Sequence, residues 1–121
     1  MKKIHGMIIA IGLVTITQSV FAESDLGSEV YFDRKKGNCL SCHTAPALKD
    51  PRQTQSGTVG PPLIVMSARY PDINKLRAQI ANPRVNNPTT RMPPYGPVEE
   101  GGHGILTKEE LDALTSFVHK L

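Results

Sequence analysis

The 121-residue chain holds no tryptophan, three phenylalanines and three tyrosines, which limits it to one domain with a modest core. Its formal charge of +3 includes two lysines near the N-terminus, and without them the sequence carries 12 basic and 11 acidic side chains. Because no basic stripe is interleaved with aromatic residues, the composition argues against a nucleic-acid-binding protein.

Residues 1–22 are predicted to be a secretory signal peptide. Lys2 and Lys3 form a positive start, a largely apolar run follows, and Val20-Phe21-Ala22 offers a small-residue cleavage site. A helix needs about 20 apolar residues to span a bilayer, and the apolar run here is shorter than that. An uncleaved membrane anchor is therefore the less favoured alternative. Cleavage would leave a mature domain of residues 23–121. The sequence near the cleavage point has no cysteine that would indicate a lipoprotein anchor.

A first helix is predicted to begin at Ser24 or Asp25, either of which can cap it. The helix is expected to run to about Lys36, because Gly37-Asn38 can end it.

Cys39-Leu40-Ser41-Cys42-His43 follows this helix with the C-x-x-C-H spacing of a c-type haem attachment site. Positions i, i+3 and i+4 of one helical turn share a face. Cys39 and Cys42 can therefore form thioethers with the two vinyl groups of one porphyrin, while His43 lies under the iron as its proximal ligand. We predict one covalently attached haem c per chain. Haem is attached to this motif outside the bacterial cytoplasm, which agrees with the signal peptide and predicts a periplasmic protein.

Three other interpretations of the cysteines remain as alternatives. A structural zinc site takes four ligands, usually from two Cys/His pairs, and the sequence has no second pair. A redox-active dithiol would lie in a βαβ pattern, which the sequence lacks. A disulfide between Cys39 and Cys42 would close a strained small ring and leave His43 unexplained. A protein without haem would be recognised by its lack of colour.

Two further helices are predicted beyond the haem motif. Asp72 begins one of them after Pro71, and Asn82-Pro83 ends it. Thr107 and Glu110 form a capping box that opens the last helix. Long loops rich in proline and glycine separate the helices, and no segment shows the two-residue alternation of a strand. The predicted fold class is all-α in a single domain.

The order of these motifs resembles the class I cytochromes c over residues 23–121. In that family, a small residue and an aromatic residue on the first helix cross a leucine and an aromatic residue on the last helix. Gly27, Tyr31, Leu114 and Phe117 fit these positions, although such residues also form ordinary helical cores. The resemblance implies three or more helices around one covalently bound haem.

The resemblance also implies a methionine as the second axial ligand. Met92 opens Met92-Pro93-Pro94-Tyr95-Gly96, which is similar to the M-P-x-x-G ligand loop of bacterial cytochromes c. Met66 is an alternative, although a methionine is more often core filler than a ligand. His103 is another, because haems with two histidine ligands occur. With His43 and Met92 both bound, the iron has no open position, so single-electron transfer is expected and no catalytic residue is predicted.

Further contacts to the haem are implied by the same family. The first proline of its G-P-x-L motif accepts a hydrogen bond from the proximal histidine, and here that residue would be Pro61. Leu63 would pack against the porphyrin. Arg91 and Arg84 are candidates for pairing with the haem propionates, unless both are simply solvated.

A finer resemblance rests on several motifs that occur in one order. They are Val59-Gly60-Pro61-Pro62-Leu63, Arg69-Tyr70-Pro71-Asp72, Leu76-Arg77-Ala78-Gln79-Ile80 and Met92-Pro93-Pro94-Tyr95-Gly96. This set resembles the SoxX subunits, the small monohaem cytochromes of the SoxAX complexes in bacterial thiosulfate oxidation. One departure is the segment Pro97 to Gly104, which is longer and more acidic than the resemblance leads us to expect.

The SoxX resemblance implies an electron-exit role within a heteromeric enzyme. A SoxA-like haem subunit would hold the sulfur site, where thiosulfate is oxidatively joined to a cysteine of a SoxYZ-like carrier. The activity, L-cysteine S-thiosulfotransferase, would belong to the complex and not to this chain alone. Electrons would leave one at a time to a soluble cytochrome c. The alternative is a free-standing periplasmic class I cytochrome c that shuttles electrons between several partners.

Overall fold

The structure, a computed structural model, describes residues 19–121. Within this range the chain forms four α-helices: α1 (Ser19–Phe32), α2 (Met66–Arg69), α3 (Ile73–Ala81) and α4 (Lys108–His119). Long loops with short 3-10 turns connect them, and residues 19–121 contain no β-strand, which confirms the predicted all-α class. No helix of this part of the chain is both long enough and apolar enough to cross a membrane. The predicted signal peptide lies largely outside the described residues.

Helix α1 begins and ends earlier than predicted. The chain is already helical at Ser19, ahead of Ser24 and Asp25, since no glycine or proline interrupts the intervening residues. The predicted end near Lys36 is also wrong. The Asp33 carbonyl oxygen accepts hydrogen bonds from the backbone N–H groups of Lys36 (3.1 Å) and Asn38 (3.0 Å), which closes a turn directly after the helix.

The predicted boundaries of α3 and α4 are confirmed, and local hydrogen bonds account for them. The Asp72 side chain accepts a hydrogen bond from the backbone N–H of Asn74 (3.0 Å), and Asn82 ends α3. At α4, Thr107 Oγ1 accepts from the Glu110 N–H (3.2 Å), and Glu110 Oε2 accepts from the Thr107 N–H (3.0 Å). This reciprocal pair is the predicted capping box.

The first and last described helices cross at the residues that the family resemblance indicates. A methyl group added at Gly27 would meet the carbonyl oxygen of Ala113 and lie 2.7 Å from Phe117 Cβ. Tyr31 is fully buried, with its ring centroid 5.4 Å from that of Phe117, and Leu114 is also buried. The crossing fixes α4 as one wall of the interior.

We expect Gly27→Ala to destabilise the folded protein by about 1–3 kcal/mol, because the added methyl group overpacks a backbone-to-side-chain contact. Guanidinium unfolding of the purified protein measures the change. Glu29→Ala, at an exposed position of the same helix, is the matched control and is expected to change stability by less than about 0.5 kcal/mol. Equal stabilities of the two variants would contradict a tight crossing at Gly27.

An ion pair ties α4 to the turn after α1. Lys36 Nζ donates a hydrogen bond to Glu110 Oε1, and this bond is the main reason why the pKa of Glu110 lies below its ordinary value. A carboxylate whose pKa is lowered by folding stabilises the protein above its unfolded pKa, and this stabilisation disappears as the pH falls through the folded pKa.

For Glu110→Gln we expect a pH-dependent loss of stability. The gap in unfolding free energy between wild type and variant should be largest near pH 7 and shrink below the ordinary glutamate pKa of about 4.3. Unfolding curves collected over this pH range measure the gap. The exposed neighbour Glu109, changed to glutamine, is the control, and a pH-independent gap for Glu110→Gln would contradict the prediction.

Candidate functional site

A cavity of about 400 Å³ lies between α4, the cysteine-containing turn and the loops that follow it. Leu114 and Val118 of α4 form one wall, and Leu76 and Ile80 of α3 extend it, so the walls are largely apolar. Seven residues predicted from the sequence to bind the cofactor line this cavity, namely Cys39, Cys42, His43, Pro61, Leu63, Arg91 and Met92, whereas Arg84, the other candidate for pairing with a propionate, does not.

The C-x-x-C-H segment forms the single helical turn that its spacing predicts. The Cys39 carbonyl oxygen accepts hydrogen bonds from the backbone N–H groups of Cys42 (3.2 Å) and His43 (2.9 Å). Asn38 enters the turn with a left-handed φ of 46°. No disulfide joins Cys39 and Cys42 in the described chain, so both sulfur atoms are available to form thioethers with a haem.

The orientation of His43 is fixed by one hydrogen bond and one close contact. His43 Nδ1 lies 2.7 Å from the carbonyl oxygen of Pro61, which can only accept, so Nδ1 carries the proton. The other ring nitrogen, Nε2, then keeps its lone pair for a metal. Gly60 packs against the flat side of the ring, and a methyl group added there would lie 2.6 Å from Nδ1.

The loop that carries Pro61 is anchored by a residue that the sequence analysis did not single out. Arg69 Nη1 lies 2.9 Å from the Pro62 carbonyl oxygen and 3.3 Å from the sulfur of Met66. Through the hydrogen bond to Pro62, Arg69 stabilises the loop that orients His43. Arg69 also lines the cavity. Its only trace in the sequence was its place in the motif Arg69 to Asp72.

The structure separates the three candidates for the second axial ligand. Met92 and Met66 both line the cavity, whereas His103 is exposed and lies 3.2 Å from Arg84 Nη1, with neither residue in the cavity lining. Met66 is 2% exposed on α2, and its sulfur already contacts the Arg69 guanidinium. Met92 is therefore the more available thioether.

The loop that follows Met92 is hydrogen-bonded to the end of α3. The backbone N–H groups of Tyr95 and Gly96 donate to the carbonyl oxygens of Ile80 (3.2 Å) and Ala81 (3.0 Å) at the end of α3. Tyr95 reaches the cavity, and burial raises the pKa of its phenol to about 12, so it is neutral at physiological pH.

The residues around the cavity fit a haem group. A covalently bound haem uses apolar walls, two cysteines on one turn, an imidazole with a fixed tautomer, a thioether and an arginine, and the cavity has all of these. Within residues 19–121 no cluster of three or more histidine, cysteine, aspartate or glutamate side chains could hold a metal ion. A zinc centre therefore fits the described chain poorly.

Comparison with known proteins gives an independent view of the same region. The model of the family Cytochrome c matches residues 24–121. An uncharacterized lipoprotein of Aquifex aeolicus (strain VF5) is 32% identical over 85 residues, which is 70% of this chain and 37% of that protein. The chain thus spans a little over a third of the length of this relative.

Proposed function

The chain belongs to the cytochrome c family, whose members bind haem c covalently, and on this basis we propose that it is a one-electron carrier with one haem c attached through Cys39 and Cys42. The observation that carries the proposal is that seven of the predicted binding residues line one cavity. His43 and Met92 are the proposed axial ligands of the iron.

Each surrounding residue has a role that its position supports. The Pro61 carbonyl oxygen holds the His43 imidazole in one tautomer and makes it a better donor to iron. Leu63, which is 8% exposed, contributes apolar surface against the porphyrin, and Arg91 can pair with a propionate. The bound haem supplies an iron that changes between two oxidation states. With His43 and Met92 as its protein ligands, the iron would have no open position for a substrate, and the methionine would favour the ferrous state.

We further propose that the chain is a SoxX subunit. The ordered sequence motifs support this assignment, and so does an exposed apolar strip on the loop before α2. Ile64 and Val65 are 45% and 61% exposed, and Val59, which is 63% exposed, lies beside them at the cavity, where a bound haem would cover part of its surface. An apolar surface beside the cofactor suits a stable subunit interface better than the transient contacts of a shuttle.

In this proposal the strip docks on a SoxA-like haem subunit in the periplasm. That subunit would join thiosulfate to a cysteine of a SoxYZ-like carrier, and each reaction would release two electrons. The present chain would pass them singly to a soluble cytochrome c. The chain has no catalytic residue of its own in this scheme.

The test is co-purification from the native host. Co-elution with a larger haem subunit that has thiosulfate-dependent activity would support the SoxX assignment. Ile64→Asp should then release the subunit, whereas Val85→Asp, at a more exposed apolar residue elsewhere on the surface, should not. A red protein that elutes alone at the mass of residues 23–121 plus one haem would favour the free shuttle, and a colourless protein would contradict both.

A further inference from the structure

The acidic segment Pro97 to Gly104 folds back onto the loop that carries Met92. The backbone N–H of His103 donates to the Pro94 carbonyl oxygen (2.9 Å), and the Gly104 N–H donates to the Gly96 carbonyl oxygen (2.9 Å). The contact is one of backbone against backbone, since a methyl group added at Gly102 would lie 2.7 Å from the Cα atom of Gly96. We call residues 97–104 the strap.

The loop that carries Met92 lies between the end of α3 and the strap. The end of α3 holds one edge of this loop through the carbonyl oxygens of Ile80 and Ala81, and the strap holds the other. Directly after the strap, the Leu106 N–H donates to the Tyr95 carbonyl oxygen (2.9 Å). The position of Met92 therefore depends on the strap as well as on the proline content of its own loop.

One arginine connects the strap to two helices. Arg77 of α3 donates from Nη1 (2.5 Å) and Nη2 (3.1 Å) to the carboxylate of Glu100 in the strap, and from Nε to Asp112 of α4 (2.5 Å). The side chains of Arg77 and Glu100 are only 23% and 29% exposed. Because two parallel hydrogen bonds join the guanidinium to the carboxylate and both side chains are partly buried, the geometry of this ion pair is fixed. The geometry of an exposed surface ion pair is not fixed in this way.

We propose that Arg77 is a positioning residue for Met92, which acts by fastening the strap through Glu100 and thereby slows departure of the methionine sulfur from the iron. The inference rests on the proposed assignment of Met92 as the axial ligand. It gives the long acidic segment, which departs from the family resemblance, a specific role. Neither Arg77 nor Glu100 lines the haem cavity, so their effect would be transmitted through the backbone hydrogen bonds of the strap.

The experiment is stopped-flow binding of imidazole to the ferric holoprotein, because imidazole can take the sixth position only after the methionine has left. Glu100→Gln removes the negative charge that pairs with Arg77 and keeps the size and shape of the side chain. We expect it to raise the imidazole binding rate about tenfold, at the low end of what loss of a hydrogen bond between charged groups produces. Arg77→Gln should also raise the imidazole binding rate. Arg77→Lys, which keeps the positive charge, should bind imidazole more slowly than Arg77→Gln.

Glu99→Gln is the matched control, since it removes the same charge from the adjacent exposed position of the strap. Its binding rate should stay within about twofold of wild type. Faster hydrogen exchange of the His103 and Gly104 amides in Glu100→Gln would locate the loosening in the strap. An imidazole rate unchanged by Glu100→Gln, with the spectroscopic signature of methionine ligation intact, would overturn this inference alone. Absence of that signature from the wild-type protein would overturn the ligand assignment together with the inference.

Discussion

Met92→Ala is expected to lower the reduction potential by roughly 0.1–0.3 V, a part of the ~0.8 V range over which axial ligands move haem potentials. The thioether favours ferrous iron, so its removal makes the ferric state more stable. The covalent attachment should survive, because Cys39 and Cys42 lie on a separate turn. Spectroelectrochemical titration of the purified holoprotein measures the shift, and binding of carbon monoxide to the reduced form reports the open position.

Met66→Leu is the matched control for this experiment. Both methionines line the cavity, and leucine conserves the volume of the buried Met66 side chain. We expect the potential of Met66→Leu to stay close to the wild-type value, with an unfolding free energy lowered by less than about 1.5 kcal/mol. A large fall in potential for Met66→Leu, together with no change for Met92→Ala, would assign Met66 as the ligand.

The parts of the fold that were predicted from the sequence depend on interactions between close neighbours in the chain. The capping box of α4 needs only Thr107 and Glu110, and the start of α3 needs Asp72 and the N–H group two residues later. The C-x-x-C-H turn likewise closes through hydrogen bonds to Cys39 from residues three and four positions further on. Such patterns are visible in one short window of sequence.

The parts that could not be predicted depend on the three-dimensional path of the chain or on backbone hydrogen bonds that no residue type requires. The bond between Arg69 and the Pro62 carbonyl oxygen, which braces the loop of the proximal histidine, follows only from the three-dimensional path of α2. The contact of Arg77 with Glu100 joins residues 23 positions apart, so the acidic strap was recognised from the sequence only as a departure from the family. Helix α1 ended early because the backbone of Asp33 closed a turn that its residue type does not require.

Gly60→Ala is expected to reduce the yield of protein with covalently attached haem about fivefold or more, the factor that an overpacking penalty of 1–3 kcal/mol corresponds to. The added methyl group would lie 2.6 Å from His43 Nδ1, the atom that donates to the Pro61 carbonyl oxygen. Either the imidazole turns away from this oxygen or the loop retreats from the ring. Both movements take the histidine out of the position in which it can bind iron.

Haem staining of denatured protein, normalised to total chain, measures the yield of Gly60→Ala. Thr58→Ala, at an exposed position two residues earlier on the same loop, controls for a general effect of substitutions there. Protein that does incorporate haem should show a changed reduction potential, since a weaker hydrogen bond to the proximal histidine makes it a poorer donor. Full incorporation with a wild-type potential would mean that the His43 ring leaves the Gly60 contact when haem binds. The Pro61 hydrogen bond would then not be what orients the ligand.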